Sequence, residues 1–364
     1  MAGLARLTPL RPLKSRALPW FVLFVGLALS TAGWLSVRTE FLRQDEARFL
    51  RVKERVLAAV DARFRAAEQA LQGGRALVET NGEMTRVRWL RYVESVTPFF
   101  DRGVVGLGYA QRVPRAQLDA VERRIRAEGV PEFAIERETD NAEAYVVTHI
   151  EPLARNARAL GKDLNSGTTR KAAAEEAMRT GETVITRRIS LIEGATRAPG
   201  CLLFVPVYAS GAPLPDTAAR ESALRGWVYA SLRVDLLLQS VAAVGEGWLD
   251  FEAFEGETAT AETLLFDADG KMKFDDAQWK AAARGAFVAS LRVPVYGREW
   301  TLRLRTTPAF DALGNRLLAW FILGGGSLVT FFGAGFTWLL VHSRGRALKF
   351  ADDVNANLRQ AEAE

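Results

Sequence analysis

Residues 18–37 read LPWFVLFVGLALSTAGWLSV, twenty positions without a charge, and residues 317–341 read LLAWFILGGGSLVTFFGAGFTWLLV, twenty-five more. A helix rises about 1.5 Å per residue, so either run is long enough to cross a hydrocarbon layer roughly 30 Å thick. Outward from the first run, Arg6, Arg11, Lys14 and Arg16 precede it with no acid beside them, and Arg344, Arg346 and Lys349 follow the second. Positive charge stays on the cytoplasmic side of a span, so both termini are expected in the cytoplasm and residues 38–316 outside it. A signal peptide cut near Ser30-Thr31-Ala32 competes for the first run. Its apolar stretch is longer than the roughly 7 to 15 residues of a signal core and continues through Trp34 and Leu35. A buried core helix competes for the second. There Gly324-Gly325-Gly326 and Gly333 would each cost a soluble helix about 1 kcal/mol against alanine, whereas membrane helices carry glycine often.

The 364 residues include 48 Lys and Arg against 43 Asp and Glu, for a formal net charge of +5. Residues 38–316 hold 40 basic and 39 acidic side chains, so the excess is a short N-terminal cluster. Such a region lacks the field that holds a phosphate backbone, and no nucleic-acid partner is expected. One cysteine, Cys201, and two histidines, His149 and His342, exclude an intrachain disulfide framework and a cysteine-built zinc site. They leave little material for catalytic dyads, and no metal or cofactor is expected.

Past the first run, Leu42, Phe49, Val56, Ala70 and Leu77 fall on a seven-residue frame with Val52, Ala59 and Ala66 between them, and Arg63 is the one charge in the stripe. No proline occurs from 20 to 97. A helix of about 35 residues is expected there, its apolar seam facing either a second chain or its own domain. Beyond the second run, Ala347, Ala351, Val354, Leu358 and Ala361 follow the four-three spacing of a coiled coil for barely two heptads. A helix leaving a span in this way can carry motion inward, to an output domain in a longer chain or to a separate partner protein.

Between the runs the pattern is mixed α and β. Strands are expected at Val104 to Val113, Phe133 to Glu136, Tyr145 to Ile150, Ile189 to Ile192, Cys201 to Tyr208 and Gly226 to Val234. Helices are expected at Arg115 to Glu128, with Leu118, Val121 and Ile125 on one face, and at Thr168 to Arg179, stopped by Gly181. After Asp235 a smaller set follows at Leu249 to Phe254, Leu264 to Ala268, Val288 to Val295 and Trp300 to Thr306. Asp269-Gly270 reads as a hairpin turn. Asp267, Asp269 and Asp276 lack the ligand spacing and terminal glutamate of a calcium loop. The whole is an α+β sensor module, an antiparallel sheet flanked by helices.

Gly108-Tyr109-Ala110-Gln111-Arg112-Val113 resembles the opening strand of the CHASE domain, the extracellular sensor of many receptor kinases and nucleotide cyclases, including the plant cytokinin receptors. Matching pieces follow in order: Tyr145 to Pro152, Asn156 with Leu160 to Leu164, Arg170 to Ala177 with Thr180-Gly181, Ile189 to Leu191, Leu202 to Tyr208, Gly226 to Leu236, and Gly297 to Leu302. They cover about residues 98 to 310. The resemblance implies a long stalk helix, two PAS-like modules with a small ligand in the membrane-distal one, a homodimer, and a cytoplasmic output domain. No kinase histidine box, GGDEF motif or cyclase core is present, so the chain itself is not expected to be an enzyme. The expected division is a cytoplasmic N-terminus at 1–17, spans at 18–37 and 317–341, a stalk at 38–97, a distal module at 98–235, a proximal module at 236–316, and a cytoplasmic signalling helix at 342–364.

In the hormone-binding relatives an acid shortly before the strand resembling Tyr145 to Ile150 pairs with the polar edge of an adenine-type ligand. By position the resemblance implies Glu143, with Asp140 its neighbour; a carboxylate accepts well from ring N–H and exocyclic amine groups. Asp163 is a further candidate, or a turn and cap residue. Tyr109, Leu202, Phe204 and Tyr229 would face either pocket or core. His149 reads as a core or wall histidine and Cys201 as a buried apolar thiol. The expectation is a bacterial inner-membrane sensor that binds a small molecule outside the cytoplasm and signals through a dimer. An extracytoplasmic hydrolase lacks a Gly-x-Ser-x-Gly elbow or metal-spaced histidines here; a structural membrane protein that binds nothing is the third reading.

Overall fold

The computed structural model describes residues 17–97, 103–193, 196–270, 274–314 and 316–361; Arg6, Arg11, Lys14 and Arg16 lie outside them. The chain forms two compact units, one of residues 49–311 and one of residues 1–48 with 312–364. Helix α1 spans Leu18–Thr80, so the helix beyond the first apolar run is somewhat longer than the expected stretch of about 35 residues, and α2 follows at Arg86–Val96.

In the larger unit come β1 (Val104–Pro114), α3 (Leu118–Ala127), β2 (Glu143–Glu151), the single turn α4 (Leu153–Asn156), α5 (Thr168–Thr180), β3 (Val184–Ile185), β4 (Ile189–Glu193) and β5 (Thr196–Tyr208). Next are α6 (Thr217–Ala223), β6 (Leu224–Leu232), α7 (Val234–Val244), β7 (Leu249–Glu255), β8 (Leu264–Asp267), α8 (Asp276–Ala282), β9 (Val288–Val295) and β10 (Arg298–Thr306). Two further helices complete the chain, α9 (Pro308–Ala312) and α10 (Arg316–Ala361). The strands form two antiparallel sheets, ordered β2-β1-β6-β5-β3 with β4 paired to β5, and β8-β7-β10-β9. In each, the first strand lies between the second and the last, the order of a PAS-like module, and the expected α+β fold is present twice.

The stalk decides how the sheets pack. Phe49, Val52, Val56, Val60, Phe64, Ala67, Leu71, Gly74 and Val78 are buried, each three or four residues from the next. That is the 3.6-residue period of a straight helix, and it leaves the seven-residue frame at exposed Arg63. The seam therefore packs on its own domain, and Phe49 and Val56 are not available to a second chain; Leu42 is 47% exposed. The stripe meets Leu107 and Tyr109 of β1, Val205 and Val207 of β5, and Val228 and Ala230 of β6 in one core with Phe251, Trp300 and Leu302 of the second sheet. Phe64 meets Trp300 edge-on with ring centroids 5.3 Å apart.

Two expected elements differ. Phe133 to Glu136 is extended but unpaired as a strand: Phe133 and Ile135 are buried against α3, while the Glu136 amide donates to the Gly161 carbonyl (2.9 Å). The Asp269-Gly270 turn, with Gly270 at φ +75°, leads into α8 rather than a hairpin, because β7 pairs with β8 on one side and β10 on the other. The hairpin of this sheet joins β9 to β10 through Tyr296-Gly297, both at positive φ.

In the smaller unit the two apolar runs are helices long and apolar enough to cross a membrane. They pack antiparallel through small residues. A Cβ at Gly26 would lie 2.4 Å from Thr330 and one at Gly326 would lie 2.5 Å from Ser30, and Trp34 meets Trp320 at 5.6 Å. Phe24 and Phe321 are 76% and 72% exposed, which no soluble core helix would tolerate. Of the α10 heptad set, Ala347 and Val354 are exposed, and the side chains of Ala351, Leu358 and Ala361 lie outside the described residues. If the stalk stripe holds the two sheets together, Phe64→Ala should destabilise the protein by about 3–5 kcal/mol in denaturant unfolding. Arg65→Ala, on the exposed side, should stay within about 0.5 kcal/mol of wild type.

Candidate functional site

The distal sheet has its back on the stalk and its front on α5. Alternation along the strands sends Leu202 and Phe204 of β5, Trp227 and Tyr229 of β6, and Tyr145 and Val147 of β2 to the front. Glycine at two positions of β1 makes that face deep. A Cβ on Gly108 would lie 2.5 Å from the Tyr229 ring, and one on Gly106 would lie 3.0 Å from the Asn156 amide. Ala173, Ala174 and Ala177 bring α5 close to one half of the sheet, where Trp227 Nε1 donates to the Ala174 carbonyl (2.8 Å). Over the other half, the segment from Asn156 to Arg170 leaves a cavity of about 170 Å³. Its apolar wall includes Val105, Val147, Leu164, Leu191 and Leu202. It is smaller than the roughly 300–1,000 Å³ of drug-sized pockets.

The polar groups at this cavity fall into two sets. Some are satisfied within the chain: Asp163 accepts from the backbone amides of Tyr145 (2.8 Å) and Asn165 (2.9 Å). Lys162 Nζ donates to Glu136 (2.5 Å), and Asn156 Nδ2 donates to the carbonyls of Val105 (2.9 Å) and Pro152 (3.0 Å). Burial pushes the Tyr229 hydroxyl well above the ordinary tyrosine range, and Arg170 draws it back in part.

Three of the sequence-derived candidates meet here: Asp163, Leu202 and Tyr229 line the cavity. Asp163 does so with its carboxylate committed to backbone amides, as the cap of the turn Leu164–Ser166. The other three lie elsewhere. Phe204 is on the front face but sealed in the core with α5. Tyr109 faces the stalk, its hydroxyl donating to the Arg225 carbonyl (3.3 Å) and pushed up to about 12 by burial. Glu143 opens β2, four residues and so about 13 Å along the strand from Val147. There it accepts from Arg112 Nε (2.7 Å), and Asp140 is exposed beside Arg115. His149 is buried, with Nδ1 3.0 Å from Thr148 Oγ1 and Nε2 3.8 Å from Glu128.

The sequence reading passed over Arg158, Arg170 and Ser231, which also line the cavity. A signal for one of them was present: Lys171 has Glu175 four residues on (3.8 Å), whereas Arg170 has Ala173 and Ala174 at the corresponding positions. If Asp163 serves the backbone first, Asp163→Ala should lower the stability of ligand-free protein by about 1–3 kcal/mol. Glu143→Ala, removing a half-buried ion pair, should cost less than about 1 kcal/mol by the same melt.

The proximal module carries the other titratable cluster. Glu252 on β7 and Asp267 on β8 are buried and directly opposite each other, and Arg303 of β10 stands 3.7 Å from Glu252 and 3.1 Å from Asp276. Among the described residues no group of three His, Cys, Asp or Glu is placed to hold a metal ion. Burial pushes the Glu252 carboxyl up to about 7, against the pull of Arg303, with Asp267 and Asp250 adding to the rise. Burial also pushes Asp267 up to about 6. Because the folded protein holds the Glu252 proton more tightly than the unfolded chain, which releases it near 4.5, this contribution is complete below about pH 4.5. It is lost as pH rises through about 7. Glu252→Gln should therefore melt higher than wild type at pH 8 and lose that advantage near pH 4.5.

No match was found among curated proteins. Among solved structures the chain is similar to the ligand-binding domain of the Pseudomonas aeruginosa PAO1 amino-acid chemoreceptor PctC in complex with GABA, at 13% identity over 69% of this chain and 96% of that one, TM-score 0.37. It is also similar to the periplasmic sensory domain of the Campylobacter jejuni chemoreceptor Tlp1, at 8% identity over 73% and 94%, TM-score 0.41. A family model described as the CHASE domain matches residues 82–266, just over half of the 364 residues, and the chain belongs to the CHASE-domain family of ligand-binding sensors.

Proposed function

We propose that the chain is a bacterial inner-membrane sensor whose distal module binds a small molecule outside the cytoplasm and passes the event inward through α1 and α10. The distal cavity carries the reading, since it joins an apolar wall to several polar groups that have no partner among the described residues, as ligand sites do. Two helices long enough to span a membrane flank the CHASE region, and the positive charge beyond each run supports cytoplasmic termini. The reading is of a binding protein rather than an extracytoplasmic hydrolase: the titratable groups lining the cavity are two arginines, a lysine, three carboxylates and Tyr229, a set suited to holding a ligand.

Glu143, the acid that the resemblance offered as an adenine anchor, stands away from the cavity, so the reading names a small molecule without adenine specificity. The working form is a homodimer. With Phe49, Val52 and Val56 inside the fold, its contact lies on the opposite side of α1, where Leu50 is 41% exposed. The signal reaches a cytoplasmic output domain or partner protein through α10.

Alkaline phosphatase fused at residue 240 should be active and at residue 364 inactive; the reverse pattern sinks the topology. Leu202→Trp, which fills the cavity, should abolish the thermal shift that a binding compound gives wild type. A shift that survives it places the ligand elsewhere.

A further inference from the structure

Resting on the distal cavity as the ligand site, a finer question is what kind of molecule it takes. The charges lining it are formally balanced: Arg158, Lys162 and Arg170 against Glu136, Glu138 and Asp163. Their commitments are not balanced. Glu136 is held by Lys162, and Asp163 by two backbone amides. Glu138 is exposed and solvated. Among the described residues, Arg170 makes no ion pair or hydrogen bond, although it is half-buried, and the same holds for exposed Arg158. A guanidinium does not give up its proton in a protein, so Arg170 is a permanent positive charge partly out of water with no counterion among the described residues.

Two hydroxyls point the same way. Tyr229 is 2% exposed and Ser231 6%, both line the cavity, and neither hydroxyl has a hydrogen-bond partner among the described residues. Both hydroxyls open into the cavity, where a ligand group can take the place of water as their hydrogen-bond partner. Arg170 also lines an open groove beside Arg188 and Ser190, which places it at the rim of the cavity. Among the described lining residues, two guanidinium groups without an ion pair and two hydroxyls without a partner face one uncommitted carboxylate, Glu138, so donors and positive charge are in excess. The geometry points to a small organic acid as the ligand, its carboxylate held by Arg170 and Arg158 and its hydrogen-bonding completed by Tyr229 and Ser231. A planar guanidinium matches a carboxylate with paired charge-assisted hydrogen bonds, which a neutral amide cannot replace.

Titration calorimetry on the full chain in nanodiscs, with acetate, propionate, succinate and benzoate as probes and propionamide and adenine as controls, tests this. At least one acid should bind, and propionamide should bind at least tenfold more weakly than propionate. Arg170→Gln should weaken the acid at least tenfold, Arg170→Lys by less, and Tyr229→Phe a few-fold, with melting temperatures showing that each variant is folded. An acid that binds Arg170→Gln and wild type equally overturns the assignment of Arg170, and absence of heat with all four acids overturns the acid class. In that second case, adenine or propionamide binding that Leu202→Trp abolishes would leave the sensor reading standing. Binding indifferent to Leu202→Trp would remove both.

Discussion

The burial of one helical stripe, Phe49 to Val78 of α1, is the interaction on which the rest of the unit of residues 49–311 depends. Each antiparallel sheet has an apolar back that must be covered, and here a single helix covers both. A fully buried Val, Leu or Phe contributes about 1.5–3 kcal/mol, so the stripe outweighs any surface ion pair in the protein. Gly73 and Gly74 tighten the arrangement. A Cβ on Gly73 would lie 2.6 Å from the Tyr92 hydroxyl, and one on Gly74 would lie 3.3 Å from Trp89, so these glycines let α2 and the sheet approach the stalk.

With the back of the distal sheet committed to the stalk, only its front can hold a ligand. Half of that front is closed by the alanine face of α5, and the other half is spanned by the looped path from Asn156 to Arg170, which leaves the cavity beneath it. That loop is itself pinned by Asp163 and Asn156, whose polar groups are spent on the backbone. The residues that hold the cavity in shape are thus distinct from those left free to meet a ligand.

The proximal module repeats the strand order and uses it differently. Where the distal sheet has a cavity, this one has Arg303 and Arg305 stacked on Trp279 at 4.6 and 4.4 Å and paired with Glu252, Asp276 and Asp250. The same topology therefore carries a cavity in one module and, in the other, a cluster of arginines and carboxylates in which burial raises Glu252 and Asp267.

The family, the two apolar runs and nearly every strand were legible in the sequence, since hydropathy and side-chain period are local properties that survive in any tertiary setting. The stalk helix was legible too, but not what its stripe faces: heptad and 3.6-residue frames coincide at Phe49, Val52 and Val56 and part from Ala59 and Val60 onward, with Arg63 exposed. Candidate site residues were half legible. β1 breaks register between Val104 and Gly106 and again between Tyr109 and Ala110, so Val105 faces the cavity while Leu107 and Tyr109 face the stalk. Sequence by itself determined which residues are apolar, which are strand or helix, and in what order. Tertiary structure alone decided which side of the sheet each one joins and which polar groups are left without a partner, because both depend on neighbours tens to hundreds of residues away along the chain.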